Sequence, residues 1–144
     1  MTGFNNSNGS KVSKVMIIDD ILTNNGHIRS LEKLKDVYKF CLHYPLRFIP
    51  VVDGLKFCGV LDRNKLRKLS KKQILRLNVE DMKEDSPYTA LVKTPVEILI
   101  KEMNEKRIES VVIINAEFIF LGTLDIFSAT TYFISNSALK SNAA

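Results

Sequence analysis

The sequence predicts a mixed α/β chain of the α+β kind, made of two copies of one small unit, and three observations carry that expectation. The apolar residues switch between helical and strand-like spacing in the same order twice. Ile49-Pro50-Val51-Val52-Asp53 reappears as Val111-Val112-Ile113-Ile114-Asn115, and Gly59-Val60-Leu61-Asp62 as Gly122-Thr123-Leu124-Asp125. The copies are 62 residues apart at the strand and 63 at the glycine, a spacing that internal duplication explains most economically. A helix, a hairpin and a second helix are too few to close a core alone, so the two units must pack on one another. At 144 residues, 45% hydrophobic and 26% charged, the chain has the composition of one compact globular body.

In the first unit, Leu31, Leu34, Val37, Tyr38, Cys41 and Leu42 fall at helical spacing, which predicts a helix from Ser30, as N-cap, to His43, before the break at Pro45. Phe48 to Val52 reads as a buried strand, Asp53-Gly54 as a turn, and Lys56 to Leu61 as the returning strand. A second helix is expected from Asp62 to Arg76 on the spacing of Leu66, Leu69, Ile74 and Leu75.

The second unit repeats the order. Thr94 reads as an N-cap with Pro95 at the first helical position, followed by the stripe Val96, Leu99, Ile100 and Met103. Ser110 to Ile114 and Phe118 to Leu124 read as strands around a turn at Asn115-Ala116, and a closing helix with Ile126, Phe127 and Phe133 begins near Asp125. The resulting division is a disordered tail over 1–11, a first unit with a basic linker helix over 12–76, a second unit over 77–134 and a loose tail over 135–144.

Several function classes are excluded. The longest apolar runs, Val111 to Ile114 among them, are four residues, against the roughly 20 that cross a bilayer. Met1 to Ser10 has neither a basic nor an apolar region of a secretory leader, which leads us to expect a cytoplasmic protein. Cys41 and Cys58 stand among apolar neighbours without metal-ligand spacing and read as buried structural thiols. The histidines are His27 and His43 alone, His43 suiting a helix-end cap, and there is no nucleophile triad or glycine-rich phosphate loop. Catalysis and metal binding are not expected.

Arg47-Phe48-Ile49-Pro50-Val51-Val52-Asp53 followed by Phe57-Cys58-Gly59-Val60-Leu61-Asp62-Arg63-Asn64-Lys65-Leu66 resembles the core of a CBS domain. Arg107 to Ile114 with Gly122 to Ile126 is similar, with Val112 where the proline would stand. The resemblance runs from about Val15 to about Tyr132 and implies two βαββα-type CBS repeats packed about a pseudo-twofold axis through their sheets, with two clefts between them. It also implies a homodimer, no required cofactor, and AMP, ADP, ATP or S-adenosylmethionine as regulatory ligands signalling to an effector protein in another chain or elsewhere in a longer protein.

For nucleotide-binding members of that family the resemblance implies a Thr or Ser three residues after the glycine and an Asp three residues later. Here Gly59 is followed by Asp62 and Lys65, and Gly122 by Asp125 and Ser128. A carboxylate repels phosphate, so Asp62 and Asp125 read more simply as caps of the helices that follow. Thr94 and the strand edges at Ile49, Pro50 and Val111 stand where the family cradles a purine, and Arg63 and Lys65 could reach an anionic group. The candidate ligand set is therefore Ile49, Pro50, Gly59, Asp62, Arg63, Lys65, Thr94, Val111, Gly122 and Asp125. A ligand-free structural or dimerisation module stays open beside it.

Arg63, Lys65, Arg67, Lys68, Lys71, Lys72 and Arg76 put seven cations in fourteen residues with no acid among them, more than the whole net charge of +5. A charge run is usually the solvated face of a helix, here one between the two units, but such a cluster could also attract phosphates or an acidic protein partner. Nucleic acid is disfavoured, because no aromatic side chain lies between Arg63 and Arg76 to stack on bases.

Overall fold

The computed structural model of the chain describes residues 26–86 and 88–143; the tail expected over 1–11 lies outside them. Helix α1 spans Leu34–His43 and buries Leu34, Val37 and Cys41, one stripe at helical spacing. It ends because Tyr44, extended at φ −62° and ψ 134°, precedes Pro45. The expected start at Ser30 is corrected: the N-cap is Lys33, and no side chain caps the helix. Ser30 is drawn instead to Asp53, donating its N–H to Oδ1 at 2.9 Å and its hydroxyl to Oδ2 at 2.6 Å, because a carboxylate is the stronger acceptor.

Strands β1 (Phe48–Asp53) and β2 (Lys56–Asp62) form an antiparallel hairpin pairing Phe48 with Asp62, with a bulge between Val51 and Val52. The extra residue is Cys58 on β2, next to Gly59, whose φ is +143°. A Cβ there would stand 2.6 Å from the Glu84 carbonyl oxygen, since Val60 and Glu84 exchange backbone hydrogen bonds of 2.9 and 3.0 Å. Glycine is what lets the inter-unit linker lie along β2.

The single helix expected from Asp62 to Arg76 is two. Helix α2 (Arg63–Leu66) stops, and α3 (Lys71–Arg76) starts anew from Ser70. Ser70 takes the Gln73 N–H at 3.2 Å and gives its own N–H to the Gln73 side chain at 2.9 Å, a reciprocal capping box that fixes the break. Helix α4 (Val79–Met82) then sends Val79 into the first core together with Leu77 and Met82.

The second unit has a short β3 (Thr89–Leu91), helix α5 (Val96–Lys106), strands β4 (Ser110–Ile114) and β5 (Phe120–Asp125), and helix α6 (Ile126–Ala143). β3 pairs parallel with β4 through Ala90 and Ile113; β4 pairs antiparallel with β5. Ile28 makes the matching parallel bridge to Val51, 62 residues earlier. Pro95, not Thr94, is the N-cap of α5, without a side-chain cap. The second returning strand begins at Phe120 rather than Phe118, because the Asn115 side chain accepts the N–H groups of Glu117 and Ile119 and curls the turn, leaving Phe118 at φ +63°. α6 continues through Ala143, across the segment for which the sequence predicts a loose tail.

Each unit has its own core. The first gathers Leu34, Cys41, Ile49, Val51, Leu61 and Leu66, and the second Val96, Leu99, Met103, Val111, Ile113 and Leu124. Each fully buried aliphatic side chain contributes roughly 1.5–3 kcal/mol. Between the sheets Val60, Val112 and Ile114 pack with Phe48, Phe57 and Phe120.

A reciprocal pair of hydrogen bonds marks the symmetry. Phe57 N–H donates to the Phe118 carbonyl and Phe120 N–H to the Leu55 carbonyl, both at 2.9 Å, and the two bonds exchange under the 63-residue offset. Lys56 bridges its own counterpart, Ile119. The pseudo-twofold axis therefore passes between the two hairpins. One extra residue in the second turn accounts for the offset rising from 62 before it to 63 after it.

Candidate functional site

The ends of β1 and β4 that begin each hairpin, Arg47-Phe48 and Glu109-Ser110, occupy equivalent places in the two units. The structure brings them to one cleft, closed on the remaining side by Tyr88, Arg107 and Ile108, with a volume of about 290 Å³. Its position is set by the helix before β4. Arg107 ends α5 in the left-handed region at φ 57°, its N–H bonded to the Asn104 and Met103 carbonyls, so the chain turns sharply into the strand.

Arg47 is held by Asp62. Its Nε and Nη2 each donate at 3.0 Å to a different carboxylate oxygen, a two-point pair between a half-exposed guanidinium and a buried carboxylate. The Asp62 hydrogen bond, with Glu84 and Glu109 adding to it, outweighs desolvation and raises the Arg47 pKa. The Arg47 hydrogen bond, helped by the Asn64 N–H, pushes Asp62 below the usual carboxylate range despite its burial. Arg47 also covers the Phe48 ring, 4.9 Å from its centroid. Arg107, which also lines the cleft, is exposed and makes no ion pair among the described residues.

None of the ten residues nominated from the sequence lines this cleft, though Asp62 reaches it through Arg47. Asp62 also accepts the Asn64 N–H at 3.0 Å, so it caps α2 as expected. Asp125 likewise accepts the Ser128 N–H and hydroxyl at 2.8 Å each, at the first turn of α6. Ile49 and Val111, expected at the strand edges, have their side chains in the two cores, because alternate strand residues must cover the helices packed behind them. Val111 also borders a smaller cavity of about 170 Å³ with Tyr88, Leu99 and Met103. Pro50 is buried in β1, and its carbonyl accepts the Ile28 N–H at 3.0 Å.

Gly59 lies under the linker, and Gly122 holds the equivalent conformation at φ +146°. Arg63 donates through its guanidinium to the Tyr44 carbonyl. Lys65 donates to Glu84 at 2.8 Å, which raises its pKa. Thr94 sits half-buried in the turn after β3, its N–H bonded to the Leu91 carbonyl.

Sequence reasoning missed Arg47, Tyr88, Arg107 and Glu109 as a group. The usable signal was the repeat itself, which places Arg47 and Glu109 at equivalent positions just before their strands. Of the thiols, Cys41 is buried, which together with the Glu32 charge raises its pKa to about 12. Cys58 is only half-buried, not fully as expected, 3.5 Å from Asp53 Oδ2. His43 is the last residue of α1, its Nδ1 lying 2.8 Å from the Lys39 carbonyl oxygen one turn back, while the C-cap is Tyr44, whose N–H donates to the Cys41 carbonyl. Among the described residues no helix is long and apolar enough to cross a membrane, and no cluster of His, Cys, Asp and Glu could hold a metal ion.

No family model matches the chain, and no curated protein matches it by sequence. Solved structures match it closely in shape. A putative acetoin utilization protein, AcuB, from Vibrio cholerae superposes with a TM-score of 0.70 at 14% identity, over 89% of this chain and 97% of that one. CBSX2 in complex with AMP superposes at 0.67 with 16% identity, over 84% and 98%. The CBS domain of the bacterial CNNM/CorC family Mg2+ transporter in complex with ATP also superposes at 0.67, with 14% identity over 88% and 93%. Two hairpin units related by a pseudo-twofold axis, and these superpositions over most of both chains, give this chain the fold of a CBS-domain pair.

Proposed function

We propose that the chain is a regulatory binding module that performs no chemistry of its own and takes an adenosyl ligand, AMP, ADP, ATP or S-adenosylmethionine, in the cleft between its two units. In this reading it works in the cytoplasm as a homodimer and passes ligand occupancy to an effector protein. The carrying observation is the lining of the cleft: Arg107, without an ion-pair partner among the described residues, beside the rings of Phe48 and Tyr88, with Arg47, held by Asp62, and Glu109 completing it. Guanidiniums suit phosphate and aromatic faces suit a purine, so this small set reads both ends of a nucleotide. The AMP and ATP complexes of proteins with the same fold support the choice of ligand class.

A different observation favours a second reading. Asp62 and Lys65 stand where the family pattern wants a hydroxyl and a ribose-binding carboxylate, and each already has a partner, Arg47 and Glu84. In that reading the module is a ligand-free structural or dimerisation unit that docks an acidic protein through its basic segment.

Thermal unfolding with each of the four ligands separates the two, because a ligand of the native state must raise the midpoint in a dose-dependent way. A rise of several degrees with one adenosyl compound, lost in Arg107→Ala, supports the cleft reading. No rise with any of them at millimolar concentration leaves the interaction reading.

A further inference from the structure

A second surface, outside the cleft, gathers exposed cations. Arg67, Lys68, Lys71, Lys72 and Arg76, on α3 and the link that leads into it, are all exposed, and none forms an ion pair among the described residues. No acid occurs between Arg63 and Val79. Lys72 and Arg76 even stand four apart on one short helix, an arrangement that destabilises it through like-charge repulsion. In the middle of these cations Leu75 is 69% exposed. The surface is rigidly presented, since the Ser70 box fixes the start of α3 and the Leu34 N–H bonds the Leu77 carbonyl at 3.0 Å just beyond its end.

We infer that the α2–α3 face is the docking surface for an acidic segment of a partner protein, with an apolar side chain of that segment seated on Leu75 between Lys71, Lys72 and Arg76. An apolar anchor inside a charged rim is the anatomy of a protein interface. A nucleic acid would want aromatic platforms, and this stretch has none. A membrane surface would want a broad apolar face, and the six residues of α3 offer one strongly exposed leucine. The inference does not depend on the cleft; it rests on the interaction reading above and adds to it the apolar anchor at Leu75 and the cations around it.

The test is a fluorescence-anisotropy titration of the full chain, without nucleotide, against a synthetic peptide of alternating glutamate and leucine. The comparison probes are the same peptide with serine for leucine, a single-stranded oligonucleotide of equal charge, and anionic phospholipid vesicles. The glutamate–leucine peptide should bind best. Lys71→Glu with Lys72→Glu should weaken it about tenfold or more, as should raising salt from about 50 to about 300 mM. Leu75→Ser should weaken it several-fold, and Lys93→Glu with Lys101→Glu on the other unit should leave it unchanged. Circular dichroism melts check that each variant is folded, and Lys68→Gln with Lys72→Gln replaces the reversal if that variant melts early. No peptide binding, indifference to the charge changes, or tighter binding of the oligonucleotide or vesicles overturns the inference.

Discussion

Arg47 and Asp62 close a two-point ion pair at 3.0 Å, and their repeat counterparts, Glu109 and Asp125, carry charges of the same sign. The duplication has diverged here at one pair of equivalent positions, so that a cation, Arg47, precedes the first strand of one hairpin and an acid, Glu109, that of the other. Asp125 turns to Ser128. The cleft has one guanidinium committed to protein, Arg47, and a second, Arg107, without an ion-pair partner among the described residues.

Removing Arg47 leaves the buried Asp62 carboxylate without its main partner. Arg47→Ala should lower stability by about 1–3 kcal/mol, discounted from a fully buried pair because Arg47 is half-exposed. Arg47→Ala with Asp62→Asn should recover part of that loss. Urea unfolding of the three variants measures it, and equal stability of wild type and Arg47→Ala would mean that the pair contributes nothing.

The pH dependence follows from the lowered pKa values of Asp62, set chiefly by Arg47, and Asp53, set chiefly by the Ser30 hydroxyl. A carboxylate whose folded pKa lies below its unfolded value contributes fully above the unfolded value, about 3.9, and loses that contribution as pH falls through the folded one. Stability should therefore be level near neutral pH and decline below about pH 4. Asp53→Asn should be less stable at pH 7 yet lose less on acidification. An acid titration of the melting midpoint that runs parallel to wild type would contradict this assignment.

Gly59→Ala should be among the most damaging small changes in the chain. Its Cβ would meet the Glu84 carbonyl oxygen at 2.6 Å, at a φ of +143° that other residues rarely adopt. A loss of about 2–4 kcal/mol is expected, against about 1 kcal/mol for Gly54→Ala, which has a φ of +62° but nothing within 4 Å. Comparable melting temperatures for the two variants would show that the linker does not rest on β2 there.

The two thiols should differ in reactivity. Cys41 is buried with a pKa of about 12, so thiolate reagents at pH 8 should reach it only on unfolding. Cys58, half-buried, should label first although burial raises its pKa too. Labelling kinetics on Cys41→Ala and Cys58→Ala variants distinguish them, and fast native labelling of Cys41 would contradict the packing of α1.

The fold was legible because duplication writes it twice. Ile49 to Asp53 and Gly59 to Asp62, repeated 62 and 63 residues on, carry the hairpins, and Pro45 ends α1 where expected. Finer features depend on partners distant in sequence. Ser30 abandons its capping role for a carboxylate 23 residues away, and Ser70 breaks a helix whose apolar spacing alone reads as continuous. No nominated residue lines the candidate site, and Asp62 reaches it only through Arg47. Periodicity says which strand residues are buried, but not that Arg47 crosses to Asp62, nor that the turn after α5 brings Arg107 and Tyr88 to the same cleft.

The central claim is that a ligand enters this cleft, and backbone amide NMR spectra recorded during titration with AMP or ATP test it most directly. The account predicts saturable shifts at Phe48, Tyr88 and Arg107 to Ser110, abolished by Arg107→Ala with Tyr88→Ala. Spectra unchanged at millimolar nucleotide, or shifts confined to α2 and α3, would contradict it.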